Sequence, residues 1–299
     1  MQIVIIGGTG QVGSDLVRVL RDSGKKFVAL SRGDLDITER SSLRDKLAKY
    51  APDVIINCSV YHPVDDCETH PDQSFAVNAT AVRDLGLAAE ELGASVVHFS
   101  SDYVFDGERG RAYCEEDPPS PRSVFGASKV AGEQLLRVAL PRHFIVRTSG
   151  LYGLTGSRVK RGNFVETMLR LGSQNGEVRV VNDLRMAQTS TENLARQTLA
   201  LIRTRKYGTY HASDHGDYSW YEFANKIFEY SGLKVRVTPV SWRDYPSLAP
   251  RPLYSVLENR RLKALGLDQM QPIDLALQAY LKARERVSVS QTAAAGVSN

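Results

Sequence analysis

A short apolar run, Ile3 to Ile6, leads directly into Gly7-Gly8-Thr9-Gly10-Gln11-Val12-Gly13 and then into a helical pattern with Leu16, Val19 and Leu20 on one stripe. Glycines at 7, 10 and 13 let the backbone approach a pyrophosphate. The helix start adds unpaired N–H groups and the positive end of its dipole. A plain structural loop is the competing reading of a glycine triplet alone. A strand before it, a helix after it and a second strand closing about 20 residues on favour the anion-binding turn. Such a turn commits the chain to an α/β fold.

The remaining pattern agrees. Phe27 to Leu30, Val54 to Asn57, Val96 to Phe99 and Phe144 to Arg147 join Gln2 to Ile6 as strands. They are nearly unbroken apolar runs, as parallel strands covered on both faces require. Helices are predicted between them at Gln11 to Ser23, Glu39 to Tyr50, Asp72 to Leu92 and Ser123 to Leu140. Strand and helix in alternation imply a right-handed, doubly wound parallel sheet. Beyond Gly150 the rhythm loosens. Helices are predicted at Asn163 to Leu171, Thr191 to Arg203, Ser219 to Ser231, Asn259 to Leu265 and Ile273 to Arg286. Strands fall at Val178 to Val181 and Thr209 to Ala212, and a stretch punctuated by Pro239, Pro246, Pro250 and Pro252 lies between. The sequence from Val287 to Asn299 reads as a disordered tail.

Composition narrows the partners. In 299 residues, 38 Lys and Arg against 34 Asp and Glu leave +4, with the charges interspersed, so no nucleic-acid footprint is indicated. No apolar run approaches the roughly 20 residues of a membrane span, and the first residues lack a secretory pattern. Three cysteines, Cys58, Cys67 and Cys114, fit no C-x-x-C pair and read as reduced thiols of a cytoplasmic protein. The six histidines show no metal-ligand spacing.

The end of the second strand bears on the choice of dinucleotide. A site for NAD usually carries an acidic residue there for the ribose 2′-hydroxyl, whereas this chain has Leu30-Ser31-Arg32-Gly33. Ser31 can donate a hydrogen bond and Arg32 can fork onto a 2′-phosphate, which favours NADPH over NADH. The rival readings are Asp34 or Asp36 reaching back to the ribose, or Arg32 as a surface charge.

Two further segments carry chemistry. His98 to Gly107 includes Ser101-Asp102-Tyr103-Val104-Phe105, and Ser123 to Glu133 includes Phe125-Gly126-Ala127-Ser128-Lys129. With the glycine turn, they resemble the extended short-chain dehydrogenase/reductases, and among them the dTDP-4-dehydrorhamnose reductase group. Leu35-Asp36-Ile37-Thr38, Asn57 to Glu68, Val77-Asn78-Ala79-Thr80, Arg147-Thr148-Ser149, Asn163-Phe164, Trp220 to Ala224 and Arg251-Pro252 extend the resemblance to about residue 285.

The resemblance implies an NADP-binding, Rossmann-like domain over 1–150, with 178–213 returning to it. A smaller mixed substrate-binding region would occupy 151–177 and 214–286. It implies cofactor contacts at Gly7, Thr9, Gly10, Gln11, Val12, Gly13, Ser31, Arg32, Asp36, Ile37, Cys58, Ser59, Val60, Asn78 and Lys129. Substrate contacts would come from Ser101, Asp102, Tyr103, Gly150, Asn163, Arg185 and Arg251. The substrate implied is a ketone on a nucleotide-activated deoxysugar. A homodimer is a further implication, although no apolar stripe marks an interface.

In that family a Ser or Thr polarises the carbonyl, a Tyr moves the proton, and a Lys four residues later holds the nicotinamide ribose. Carried over, Ser101 is the carbonyl-binding hydroxyl and Lys129 the cation, but the Tyr position holds Phe125. A phenyl ring cannot donate a proton, and loss of a general acid typically costs about 10²- to 10⁴-fold. A trapped Tyr-to-Phe variant, a natural enzyme with another donor, and a non-catalytic NADP-binding sensor or regulatory protein all fit this substitution. Tyr103 is a candidate substitute donor or a packing aromatic. Two other departures fall near the sugar. Gly150 stands where the group usually has Trp, and Asp183-Leu184-Arg185-Met186-Ala187-Gln188-Thr189 replaces a Gln- and Pro-containing segment. Arg185 either pairs with a substrate anion or is a solvated surface charge. Tyr152, Lys160 and Arg161 suit a nucleotide diphosphate or are ordinary surface residues.

Overall fold

The computed structural model describes residues 1–156, 162–245 and 247–295, the last nine by backbone alone. The chain order is β1 (Ile3–Ile6), α1 (Gln11–Asp22), β2 (Phe27–Leu30), α2 (Arg40–Ala48), β3 (Val54–Asn57), α3 (Val64–Thr69), α4 (Pro71–Phe75), α5 (Ala81–Glu91), β4 (Ser95–Ser101), α6 (Val124–Ala139) and β5 (His143–Thr148). There follow β6 (Leu151–Tyr152), α7 (Phe164–Asn175), β7 (Glu177–Val181), β8 (Arg185–Met186), β9 (Thr189–Ser190), α8 (Thr191–Ile202), β10 (Gly208–His211), β11 (Tyr218–Ser219), α9 (Trp220–Ser231), β12 (Arg236–Val240), α10 (Arg260–Ala264) and α11 (Ile273–Ala295).

Six parallel strands form one sheet in the order β10-β5-β4-β3-β1-β2. Residues of β1, β3 and β5 are buried on both faces, which is why β1 and most of β3 are apolar without alternation, while β5 combines Phe144, Ile145 and Val146 with the buried polar residues His143, Arg147 and Thr148. On one face Ile3, Ile5, Val54 and Ile56 pack with Leu16, Val19 and Leu20 of α1 and Leu194 and Leu199 of α8. On the other face Val4, Ile6 and Ile55 meet Leu43 and Leu47 of α2, Leu85 of α5 and Leu136 of α6. A separate core joins α7, β7, α9 and α11 through Val165, Met168, Val178, Val180, Phe223, Ile227 and Leu277.

Four expectations change. The stretch Asp72 to Leu92 is not one helix, because a π-helical turn at Ala76–Thr80 separates α4 from α5. The segment 178–213 does not return to the large sheet as a unit. β7 pairs with β12 in the second core, and only the part from α8 to β10 rejoins the six strands. β12 itself lies within the Pro-rich stretch. It runs parallel to β7 with Pro239 opposite Val180, and an edge strand of a two-stranded sheet tolerates the missing N–H. Finally, α11 runs to Ala295 where a disordered tail was expected from Val287. The first Gly or Pro after Ile273 is Gly296, and Ala293 to Ala295 are the strongest helix formers.

Candidate active site

Strand order reverses between β1 and β3, so the loops leaving their C-terminal ends diverge and open a crevice. A cleft of about 1530 Å³ begins there and continues past the end of β4 into the second core. The glycine turn forms its floor. Gly7 and Gly8 both donate their N–H to the Leu30 carbonyl, at 2.9 and 3.0 Å, which ties the turn to the end of β2. Gly10 caps α1 without a side chain and no acidic residue occupies the first turn, so the helix start is left to an external anion. A Cβ on Gly13 would overlap the Gly7 carbonyl oxygen, and Gln11 Oε1 is buried without a partner. This cradle fits a dinucleotide pyrophosphate.

At the ribose end, Ser31 donates both its N–H and its hydroxyl to Asp34 Oδ2, at 2.8 and 2.6 Å. Its hydroxyl is therefore engaged by Asp34 rather than kept for a 2′-phosphate. Those hydrogen bonds hold the Asp34 carboxyl below its ordinary range. Arg32 is 86% exposed and meets Asp36 Oδ2 through Nε at 3.1 Å. Asp36 also accepts from Thr38 N and Oγ1, and these bonds lower its pKa. Arg32 thus presents a cation at the cleft wall, and its Nη atoms lie outside the Asp36 contact.

Thr9, Val12, Ile37, Cys58, Ser59 and Val60 line the cleft as expected, whereas Asn78 does not. Asn78 lies in the π turn, where its amide accepts from Tyr61 N at 2.9 Å and donates to Tyr61 O at 2.9 Å. It props the loop that carries Ser59 and Val60. The widened turn gives the side chain that direction.

β4 and α6 bring the catalytic segments together. Ser123 caps α6 by accepting from Gly126 N at 3.2 Å, and Phe125 and Lys129, four residues apart, share the face that lines the cleft. Lys129 Nζ donates to the Phe99 carbonyl at 2.7 Å and lies 3.1 Å from His98 Nε2. Burial brings the ammonium down to about 8. Ser101 Oγ accepts from Tyr103 N at 3.2 Å and is 2.9 Å from Asp102 Oδ1. Asp102 Oδ2 is 2.6 Å from Ser255 Oγ, and burial pushes the Asp102 carboxyl up to about 6. Phe125 meets the ring of Tyr103 edge-on, with centroids 5.8 Å apart.

Arg251 spans the rim. It donates to the Tyr103 hydroxyl at 3.0 Å and to Asp65 Oδ2 at 2.9 Å, while Asp65 accepts from Ala249 N and Ser247 Oγ. Gly150 and Asn163 also line the cleft. Gly150 adopts φ +55° with the Gln188 Cα 3.0 Å from where a Cβ would stand, so this bend accepts no larger residue without strain. The Asn163 amide caps α7 and donates to the Gly153 carbonyl at 2.9 Å. Arg185 lies outside the cleft, paired with Asp217 at 2.8 Å and Glu222 at 2.9 Å. Tyr152 is buried in the second core, and Lys160 and Arg161 lie outside the described residues. Sequence reasoning missed Arg179, Trp242 and Tyr245 at the outer end of the cleft, where they join Trp220. A signal was present, since the chain has two Trp and both line the cleft.

A dinucleotide-binding crevice that continues into a pocket lined by Ser101 and Lys129 defines a nucleotide-dependent oxidoreductase of the short-chain type. The family model described as the RmlD substrate binding domain matches residues 1–286, and the chain belongs to that family. The spore coat polysaccharide biosynthesis protein SpsK of Bacillus subtilis is 37% identical over 283 residues, 95% of this chain and 98% of its own. A dTDP-4-dehydrorhamnose reductase of Streptomyces griseus is 37% identical over 274 residues, 89% of this chain and 88% of its own. A crystal structure of dTDP-4-dehydrorhamnose reductase from Bacillus anthracis in complex with NADP superposes with a TM-score of 0.90 at 37% identity. That match covers 94% of this chain and 99% of the other.

Proposed function

We propose that this protein reduces a keto group on a nucleotide-activated deoxysugar, with NADPH as reductant and a dTDP-4-dehydrorhamnose-like ketone as substrate. The observation that carries the reading is the continuity of one cleft from the glycine turn to Ser101 and Lys129 and on to Trp220 and Trp242. Relatives named as reductases and a neighbour holding NADP support it, and nothing in them favours a non-catalytic sensor.

NADPH, when bound, supplies the hydride. The turn at Gly7 to Gly13 and the α1 N-terminus would hold its pyrophosphate, Arg32 its 2′-phosphate and Lys129 the nicotinamide ribose. Ser101 would offer its hydroxyl to the carbonyl oxygen, where negative charge develops. Phe125 supplies an apolar wall and no proton. The outer aromatics would receive the nucleotide base. No helix among the described residues is long and apolar enough to cross a membrane. Three free cysteines suit the cytoplasm, the location we propose.

The test is NADPH oxidation followed optically with a dTDP-4-keto-6-deoxysugar. Turnover is expected, slow for the family chemistry, and Ser101→Ala should abolish it. NADPH binding with no oxidation across a panel of keto sugars, in this protein and in Phe125→Tyr, would overturn the reading.

A further inference from the structure

Reduction of a ketone needs a proton as well as a hydride, and residue 125 offers none. We propose that Asp102, as a neutral carboxylic acid, supplies that proton through the hydroxyl of Ser101. This rests on the reading above, in which Ser101 faces the substrate carbonyl.

Ser101 has one hydroxyl proton. With Asp102 ionised, that proton is drawn to Oδ1, 2.9 Å away, and is lost to the substrate. With Asp102 neutral the bond reverses. The carboxylic acid then donates to Ser101 Oγ, which also accepts from Tyr103 N at 3.2 Å, and the Ser101 proton is freed for the carbonyl. Ser255 Oγ, wholly buried and 2.6 Å from Oδ2, can donate to the remaining carboxyl oxygen. Every polar atom of the relay then has a partner.

Burial shifts the carboxyl toward the neutral acid, which is the major form below about pH 6 and a minor form above it. Asp102 is 2% exposed and its oxygens meet serine hydroxyls, which stabilise a carboxylate less than a cation would. Among charged and titratable groups, Tyr103 follows it on the same turn, Lys129 of α6 lines the same cleft, and Arg251 bridges the Tyr103 hydroxyl and Asp65 at the rim. Arg251 is already shared between Tyr103 and Asp65. Tyr103 is thereby held at the rim by a cation, while Asp102 lies one hydrogen bond from the hydroxyl at the reacting carbon.

The step balances. A C–H bond forms at the carbonyl carbon with the hydride of the reduced nicotinamide, and the C=O π pair moves to oxygen. That oxygen takes the Ser101 proton, Ser101 takes the Asp102 proton, and the resulting carboxylate is reprotonated by water entering the cleft after product leaves. Asp102 acts through Ser101, so it is a positioning and proton-supplying residue rather than one touching substrate.

Two measurements test it. In the protein without ligands, the infrared difference between the unmodified protein and Asp102→Asn should contain a neutral carboxylic acid band that disappears as pH rises through about 6, while the band of Asp214, common to both proteins, cancels; absence of this difference band overturns the proposal. In single turnover, Asp102→Asn should lower the rate about 10²- to 10⁴-fold in the Phe125 protein. The loss should be less than about tenfold in the Phe125→Tyr background, where the phenol takes over. Equal losses in both backgrounds, or loss of turnover on Tyr103→Phe with none on Asp102→Asn, would overturn the relay. Should Asp102→Asn not fold, a proton inventory on the unmodified protein decides. Two protons in flight give a curved dependence on deuterium fraction, and a straight line refutes the relay. Full activity in Ser101→Ala, with the infrared band intact, would instead defeat the carbonyl-binding reading of Ser101.

Discussion

Lys129 Nζ lies 3.1 Å from Nε2 of His98, and both side chains are buried between β4 and α6. A buried ammonium disfavours a second proton beside it, and His98 is held well below its ordinary value by burial first and then by the neighbouring ammonium. Lys129, brought to about 8, binds its proton less tightly in the native state than in the unfolded chain, where 10.5 applies. Its cost to stability is therefore fully present below pH 8 and is relieved as pH rises from 8 toward 10.5. Lys129→Met should raise unfolding free energy at pH 7 by up to about 3 kcal/mol while weakening NADPH binding. A denaturant titration checks the first effect and fluorescence of bound NADPH the second. A net loss of stability would mean that the bonds to Phe99 and His98 outweigh the burial.

His211 gives a pH-dependent counterpart. Burial first, then the Arg147 guanidinium, bring it to about 3, so the native state stays unprotonated while the unfolded chain takes a proton below about 6.5. Stability contributed by this group is present above 6.5 and lost as pH falls toward 3. Between pH 7 and 5 the loss amounts to about 2 kcal/mol. The destabilisation caused by His211→Asn should thus be smaller at pH 5 than at pH 7 by about that amount. Asp102 and Asp214, both raised to about 6, act in the opposite sense below pH 6, but they are common to the two proteins and cancel in the difference.

Gly13→Ala would drive a methyl group into the Gly7 carbonyl and to 2.8 Å from Gly8 Cα, both backbone atoms that cannot swing aside. Overpacking of this kind costs about 1–3 kcal/mol. Loss of the cradle should also raise the dissociation constant for NADPH at least about tenfold, the equivalent of 1.4 kcal/mol. Thermal unfolding with and without NADPH separates the two, because the shift produced by the ligand shrinks only if the site itself is damaged.

Arg32 tests the cofactor choice. Its removal as Arg32→Ala should raise KM for NADPH about tenfold and leave KM for NADH unchanged, since only the former carries the 2′-phosphate. Equal effects on both would assign Arg32 to general attraction of anions.

The sheet was legible because β1 and β3 are buried on both faces and are almost wholly Val and Ile, and because Phe144, Ile145 and Val146 give β5 a short apolar run. The same rule fails at β12, where Arg236, Thr238 and Pro239 face outward enough to hide a strand whose partner β7 lies more than fifty residues earlier. Arg185 was open to two readings because its partners, Asp217 and Glu222, are brought near only by folding. Asn78 was placed at the cofactor by resemblance, and the π turn that redirects its amide leaves no periodic mark in the sequence. The glycine turn was legible from its local setting between a strand and a helix, whereas Ser101 and Lys129 were placed by the resemblance.

The chain crosses repeatedly between its two halves, and β10 reaches β5 only after β6, α7, β7, β8, β9 and α8 have been built. Until then β5 is an unpaired margin made of His143 to Thr148, all interior residues in the finished molecule. A nascent or truncated chain ending near residue 150 would display that margin as a sticky strand, open to pairing with another copy. The strand that covers this margin belongs to the dinucleotide half yet is reached only after the chain has passed through the second core, so cutting the chain near residue 150 should yield an aggregate rather than a domain.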